Sequence, residues 1–315
     1  MSNGTGGYLI RRIAGVLPVL AVAVVLAFAA NKSVPGDPVL MMLGDQSGNV
    51  DLARKLRSEY GLDRPVLTQF FDYAGGLLRG DLGLSFRFPG VPVAQVIADG
   101  LWISPLLAIG ALTIAFPIGV MVGIFAAIRR NTWADVGVML ILVAGLSIPN
   151  FALATFFVWL FSLKLGALPV AGWDKWQHIV LPVAILAIPP AAYIARLART
   201  FMLEVLQQDY IRTARAKGLP ERQVIWRHGL RNVLVPILTV TGVILGGLIT
   251  STFVIETIFN IPGLGRIAIQ SIFARDFPVT TGIVLLFTLF YVVINLVVDL
   301  LYVAIDPRLR LEARR

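Results

Sequence analysis

Cysteine is absent from this chain, so disulfides, thiolate metal sites and thiol catalysis are all excluded. Histidine occurs only at His178 and His228, too few for a His-rich metal centre. Charge is scarce as well: 14% of the 315 residues are Asp, Glu, Lys or Arg, against about 25% in an average soluble domain. No GxxxxGK[ST] phosphate loop is present; where Lys and Gly adjoin, at Lys217-Gly218, their order is reversed. Without such a cradle of backbone N–H groups the chain is not expected to hydrolyse ATP alone. HExxH and GxSxG are missing too, which removes the commonest hydrolase motifs. No catalytic, cofactor-binding or metal-ligating residue is therefore assigned.

Apolar residues, in contrast, make up 57% of the chain. A bilayer core about 30 Å thick needs roughly 20 mostly apolar residues per helix. Six runs meet that length, near 9–30, 101–128, 134–163, 179–199, 233–256 and 279–304. In the first, Arg11 and Arg12 precede an apolar stretch and Ala27-Phe28-Ala29, a pattern that could be read as a signal peptide. The uncharged run from Ile13 to Ala30 exceeds the usual 7–15 residues of a signal-peptide core, roughly stated, and favours an uncut anchor.

Lys and Arg near span ends stay on the cytoplasmic side. Of the 27 such residues, 16 fall in segments on the side of the N-terminus and 11 opposite, most of those 11 in one long loop where the bias counts for little. Both termini are expected in the cytoplasm. The net charge of +9 is then a topology signal and not a nucleic-acid footprint.

Residues 31–100 form the long outside loop, with two helical patterns: Leu52, Ala53, Leu56, Tyr60, then Val66, Phe70, Tyr73, Leu77, separated by Gly61 and Pro65. This is either a cap over the span ends or a docking surface for an outside partner. A second outside loop, 257–278, carries the turn-forming runs NIPGLGR and ARDFP. The cytoplasmic loop 200–232 contains DYIRTARAKGLPERQVIWRH, Asp209 to His228. Helix formers run from Glu204 to Lys217, and Leu203, Leu206, Tyr210 and Ala214 share one face. Gly218 offers the left-handed conformation that ends a helix, and Pro220 a start for the next. Taken alone, the segment reads as a basic helix lying on anionic lipid.

The order of residues from Arg212 to Gly218 resembles the EAA…G loop of ABC importer permeases, with Ala214 and Gly218 on its second Ala and its Gly. Arg212 and Thr213 depart from the general Glu and Ala, and Pro236 lies farther downstream than its proline; DYIRTARAKGL is similar to the peptide-transporter branch. SVPGDP (Ser33–Pro38), Tyr60 to Phe86, LSIPNF (Leu146–Phe151), VIETIFNIPGLGR (Val254–Arg266) and DLLYVAIDPRLR (Asp299–Arg310) resemble the B-type permease subunit of the dipeptide/oligopeptide (peptide/nickel) family. The resemblance implies an all-α polytopic membrane protein, a single permease domain over 1–315. It has six transmembrane helices, a long extracytoplasmic loop after the first, and a coupling helix between the fourth and fifth. That helix would seat in a groove of an ATPase subunit, through Tyr210, Arg212, Thr213, Ala214, Arg215, Lys217, Gly218 and Leu219. The implied partners are a homologous C-type permease, two ATPase subunits that bind ATP and Mg, an extracytoplasmic peptide-binding protein and membrane lipid, all at a bacterial inner membrane.

Polar groups inside a span are costly and so informative. Tyr291, Asn295 and Asp299 recur every four residues on the last span and form one stripe. Thr252 and Glu256 lie near the outer end of the fifth; Glu256 could line a gate or serve a structural pair with Arg266 or Arg275. Pro149 is expected to kink the third span, with Asn150 beside it as a pathway residue, and Pro189-Pro190 to kink the fourth. Gly119/Gly123 and Gly242/Gly246 have the GxxxG spacing of close helix packing. The pathway or gate candidates are thus Pro149, Asn150, Thr252, Glu256, Asn295 and Asp299. Uptake of nickel chelates or glutathione shares much of this pattern. A secondary transporter, which would need inverted repeats and midplane charges, fits less well.

Overall fold

A computed structural model of the chain describes residues 3–33, 36–43 and 48–305, and within these the side chains of 15–298 except Met41. The side chains of Arg11, Arg12 and Asp299, part of Ser33–Pro38, and residues 306–310 lie outside what is described.

Helices account for most of the described chain. They are α1 (Asn3–Ser33), α2 (Pro38–Leu43), α3 (Val50–Glu59), α4 (Val66–Leu78), α5 (Val93–Ala98), α6 (Ile103–Ile128), α7 (Trp133–Ser147), α8 (Asn150–Phe157), α9 (Gln177–Leu206), α10 (Asp209–Ala216), α11 (Glu221–Gln223), α12 (Leu230–Ile258), α13 (Leu264–Phe273) and α14 (Phe277–Ile305). A π-helical turn extends α8 over Val158–Lys164, and another, Val224–Gly229, joins α11 to α12. Five stretches are long and apolar enough to cross a membrane, or six with α7 and α8 taken as one broken span. These match the six runs of the sequence. Trp102, Trp133 and Trp176 stand exposed where α6, α7 and α9 begin, the level at which Trp anchors a span at the membrane surface.

The chain divides into two compact units: Met1–Ile103 with Pro262–Val292, and Ser104–Ile261 with Val293–Arg315. In the first, both helical patterns of the long loop appear as expected, with Gly61 at φ +62° and Pro65 as the N-cap of α4. A small core joins α5, α13 and α14 through Val93, Ile97, Leu264, Val279 and Ile283. The turn chemistry of 257–278 encloses a whole helix, α13, that the run of turn residues concealed.

The second unit is organised around α9. Gly119 and Gly123 of α6 lie against Ala191, Ile194, Ala195 and Ala198, so close that a methyl at Gly123 would overlap the Ala195 carbonyl oxygen. Small residues thus bring the two backbones together, as the GxxxG spacing implies. Leu142 of α7 packs on Ala192 and Ala195, while Met202 meets Ile225, Val233 and Ile237 on the far side. Pro189 and Pro190 both lie inside α9, which stays helical for 30 residues; close neighbours compensate for the lost N–H bonds.

Candidate functional site

The expectation of one helix from Glu204 to Lys217 is corrected. Helix α9 stops at Leu206, Gln207-Gln208 form a corner, and α10 starts afresh at Asp209. The inner face of α10 is Ile211 and Ala214, packed with Val224 on Val205, Leu206 and Leu219. Tyr210, placed on that face by its spacing, is exposed; its hydroxyl accepts a hydrogen bond from Asn232 Nδ2 at 3.0 Å. The two-residue corner rotates the register, which a single unbroken helix would not. Ala214 therefore serves the chain's own packing, and Arg212, Thr213, Arg215, Ala216, Lys217 and Gly218 form the outer surface.

The turn after α10 follows from its sequence. Gly218 has φ +79°, its N–H donates to the Arg215 carbonyl at 2.9 Å, and the Leu219 N–H to the Ala214 carbonyl at 3.3 Å. This pair of bonds is the Schellman arrangement, which uses a left-handed residue to satisfy the last carbonyls of a helix. Arg215 then spans the turn, with Nε 2.7 Å from Glu221 Oε1 and Nη2 3.3 Å from Oε2. The result is a short charged helix, apolar beneath and basic above, fixed between two long membrane helices.

Pro149 does more than kink the third span. Helices α7 and α8 meet at 102°. Ile148, restricted by the following proline to extended backbone, has φ −81° and ψ 122°, and Pro149 caps α8. Asn150 begins α8 with its Oδ1 buried and lacking a hydrogen-bond partner.

Thr252 and Glu256 are fully buried one turn apart on α12. Thr252 Oγ1 donates to the Ile249 carbonyl at 3.0 Å, and Glu256 Oε1 accepts from Ser104 Oγ of α6 at 2.6 Å. In this conformation Glu256 is enclosed within the helix packing. Tyr291 is exposed and Asn295 half-buried on α14. The pathway candidates stand on three helices, α8, α12 and α14.

Sequence reasoning missed three features, each joining residues distant in the chain. Asp276, buried ahead of α14, accepts from Ser85 Oγ and from the backbone N–H of Phe86 at 3.0 Å and Arg87 at 3.2 Å. Asp135 and Arg199 form a two-pronged ion pair between α7 and α9. Within the first unit a cleft of about 480 Å³ is lined by Phe28, Lys32, Gln69, Asp72, Tyr73, Phe86 and Phe277 among others. The buried Tyr73 hydroxyl in its wall has no partner, and burial pushes that phenol up to about 12. No group of three or more potential metal ligands occurs among the described residues.

Comparison with known proteins agrees with this arrangement. Residues 119–311 match the family "Binding-protein-dependent transport system inner membrane component", and residues 7–88 match its N-terminal companion family. A Brucella abortus (strain 2308) protein that bears the name of a peptide transport system permease is 41% identical over 312 residues, covering 96% of this chain and 99% of that one. The glutathione transport system permease protein GsiC of Escherichia coli (strain K12) is 41% identical over 303 residues, covering 96% and 98%. Among solved structures, inward-facing conformations of the MetNI methionine ABC transporter share the fold, with a TM-score of 0.58 at 20% identity over 67% of this chain and 97% of that one. The chain belongs to the family of inner membrane components of binding-protein-dependent transport systems, and is a multi-pass permease.

Proposed function

We propose that the chain is the pore-forming permease subunit of an ATP-binding-cassette importer for short peptides, energised by separate ATPase subunits. The observation that carries this reading is α10. A short helix whose inner face is locked by Ile211 and Ala214 and whose outer face is basic has little to gain from its exposure unless something docks there. Its rigid seat on α9 and on the π-helical turn before α12 suits it to transmit movement into the membrane. The peptide class rests on the full-length likeness to a peptide transport permease.

In this reading both termini and α10 face the cytoplasm and residues 31–100 the outside, which the 16-to-11 distribution of Lys and Arg supports. A C-type permease completes the pore, an extracytoplasmic binding protein delivers the substrate, and two ATPase subunits bind ATP and Mg. Glutathione, itself a tripeptide, is the second reading, favoured by the likeness to GsiC. An ion-gradient carrier is set aside by the family.

The test is uptake into proteoliposomes that hold the chain with its co-purified partners. ATP-dependent accumulation of a labelled dipeptide, competed by other dipeptides and weakly by glutathione, is expected. Glutathione as the stronger competitor would transfer the assignment to the second reading. Accumulation driven by an ion gradient, without ATP, would overturn both.

A further inference from the structure

Asp135 is buried at the start of α7 and performs two tasks. The first is local: its N–H donates to the N-cap Thr132 Oγ1 at 3.5 Å, and its Oδ2 accepts from the Asn131 N–H at 3.1 Å. The second is long-range: Arg199 of α9 donates Nε to Oδ1 at 2.8 Å and Nη2 to Oδ2 at 2.7 Å. Capping requires no charge, since a neutral Asn would accept the same N–H. Stability gives no strong reason for the pair either, because well-packed apolar residues often serve as well as a buried ion pair. What a fork of two parallel bonds does provide is a fixed distance and a fixed orientation between two helices.

The two ends of this link lead to different places. Arg199 lies seven residues before Leu206, roughly 10 Å along the axis at 1.5 Å per residue, where the chain turns into α10. Asp135 lies twelve residues before Ser147, roughly 18 Å along α7, where the chain turns through 102° into α8. Between these points Leu142 packs on Ala192 and Ala195, and Gly145 leaves room for Ile188 and Ala192. Held by the fork at one end and small-residue packing along its length, α7 has no slack relative to α9. The corner at Ile148-Pro149 is different: Ser147, Ile148 and Pro149 are all exposed, and Asn150 Oδ1 has no partner to hold it. Hinges form where a few backbone angles are least constrained by packing.

We infer that Asp135 and Arg199 are positioning residues that carry a displacement of α10 from α9 into α7. Helices α7 and α9 move as one body, and the change of shape falls on the Ile148-Pro149 corner. This rests on α10 being the ATPase contact.

The absence of cysteine from this chain allows a direct test in a complex whose partner subunits have had their own cysteines replaced. Spin labels at Leu140→Cys on α7 and Phe156→Cys on α8, both exposed, report the angle at the corner. Distances are compared without nucleotide and after trapping with ATP and vanadate. The expected result is a shift between the two states that falls below half in Asp135→Asn and Arg199→Gln, with ATPase retention unchanged. Uptake of labelled Ala-Phe per ATP hydrolysed falls in step with that shift. In a separate chain, Asp135→Cys and Arg199→Cys joined by a short thiol-reactive linker restore uptake, a rescue that mere loss of folding would not permit. If Asp135→Asn fails to accumulate, the linked pair tests the same point with no charge present.

Full shift and normal uptake per ATP in both single variants would overturn the inference, as would a linked pair that blocks uptake, since α7 and α9 would then have to slide. An unmutated chain that retains no ATPase would instead remove the importer reading on which it rests.

Discussion

Gly218 offers the sharpest test of the coupling surface, because two explanations for a glycine there predict opposite orders of substitution. Its φ of +79° is left-handed, and a Cβ at this position would meet nothing within 4 Å. Within the chain the requirement is therefore conformational and not steric. Alanine must bear the left-handed backbone, a cost of about 1–2 kcal/mol, which lowers the population of the ordered turn by roughly 5–30-fold. Asparagine tolerates that region better than alanine. Proline cannot adopt it at all, since its ring holds φ near about −65°. It also deletes the N–H that donates to the Arg215 carbonyl at 2.9 Å, a further ~0.5–1.5 kcal/mol. The Arg215–Glu221 fork across the turn would be lost with it.

The assay is retention of ATPase activity by the tagged chain in mild detergent. If the turn's shape is what matters, retention falls in the order Gly, Asn, Ala, Pro. If a partner's groove needs the space above Gly218, the larger asparagine is worse than alanine. Retention by Gly218→Pro equal to the unmutated chain would refute the reasoning and return the segment to a helix lying on lipid.

Two other outcomes follow from the first unit. Asp276→Ala removes the acceptor for Ser85 and for two backbone N–H groups; at about 1–3 kcal/mol for each buried donor left unmade, the 85–87 segment should loosen, and tryptic cleavage after Arg87 should become much faster than in the unmutated chain. An unchanged rate would show that the segment is held by other contacts. Tyr73→Phe deletes a buried hydroxyl without a partner and should leave stability unchanged or raise it by up to ~1 kcal/mol. Because burial raises the Tyr73 phenol to about 12, the folded chain keeps a proton that the unfolded one releases near about pH 10. That contribution is complete below pH 10 and is lost as pH rises towards 12, so melting curves from pH 8 to 11.5 should decline less steeply for Tyr73→Phe; equal slopes would contradict the assignment.

Much of the architecture could be read from local pattern alone. Six apolar runs of membrane-crossing length, the two helices of the outside loop parted by Gly61 and Pro65, and the left-handed stop at Gly218 depend on hydrophobicity and backbone sterics within a few residues. Such effects need no knowledge of the rest of the chain. Even so, local rules misplaced Tyr210. A helical wheel carried across Gln207-Gln208 assumes an unbroken register, and the corner there turned Ile211 inward in its place.

The prolines mark where local reasoning stops. Pro149 and Pro189-Pro190 carry the same intrinsic penalty, yet the first sits at a 102° corner and the second pair lies within a continuous helix. Packing made the difference: α9 is gripped along its length by α6 and α7, whereas the residues around Pro149 are exposed. The same holds for the polar contacts that define the second level of structure. Asp135 finds Arg199 64 positions away, Glu256 finds Ser104 at 152 and Asp276 finds Ser85 at 191. A residue's own sequence neighbourhood states that a buried charge needs a partner; only the packed helices decide which one, because the choice depends on distances set after the chain has folded.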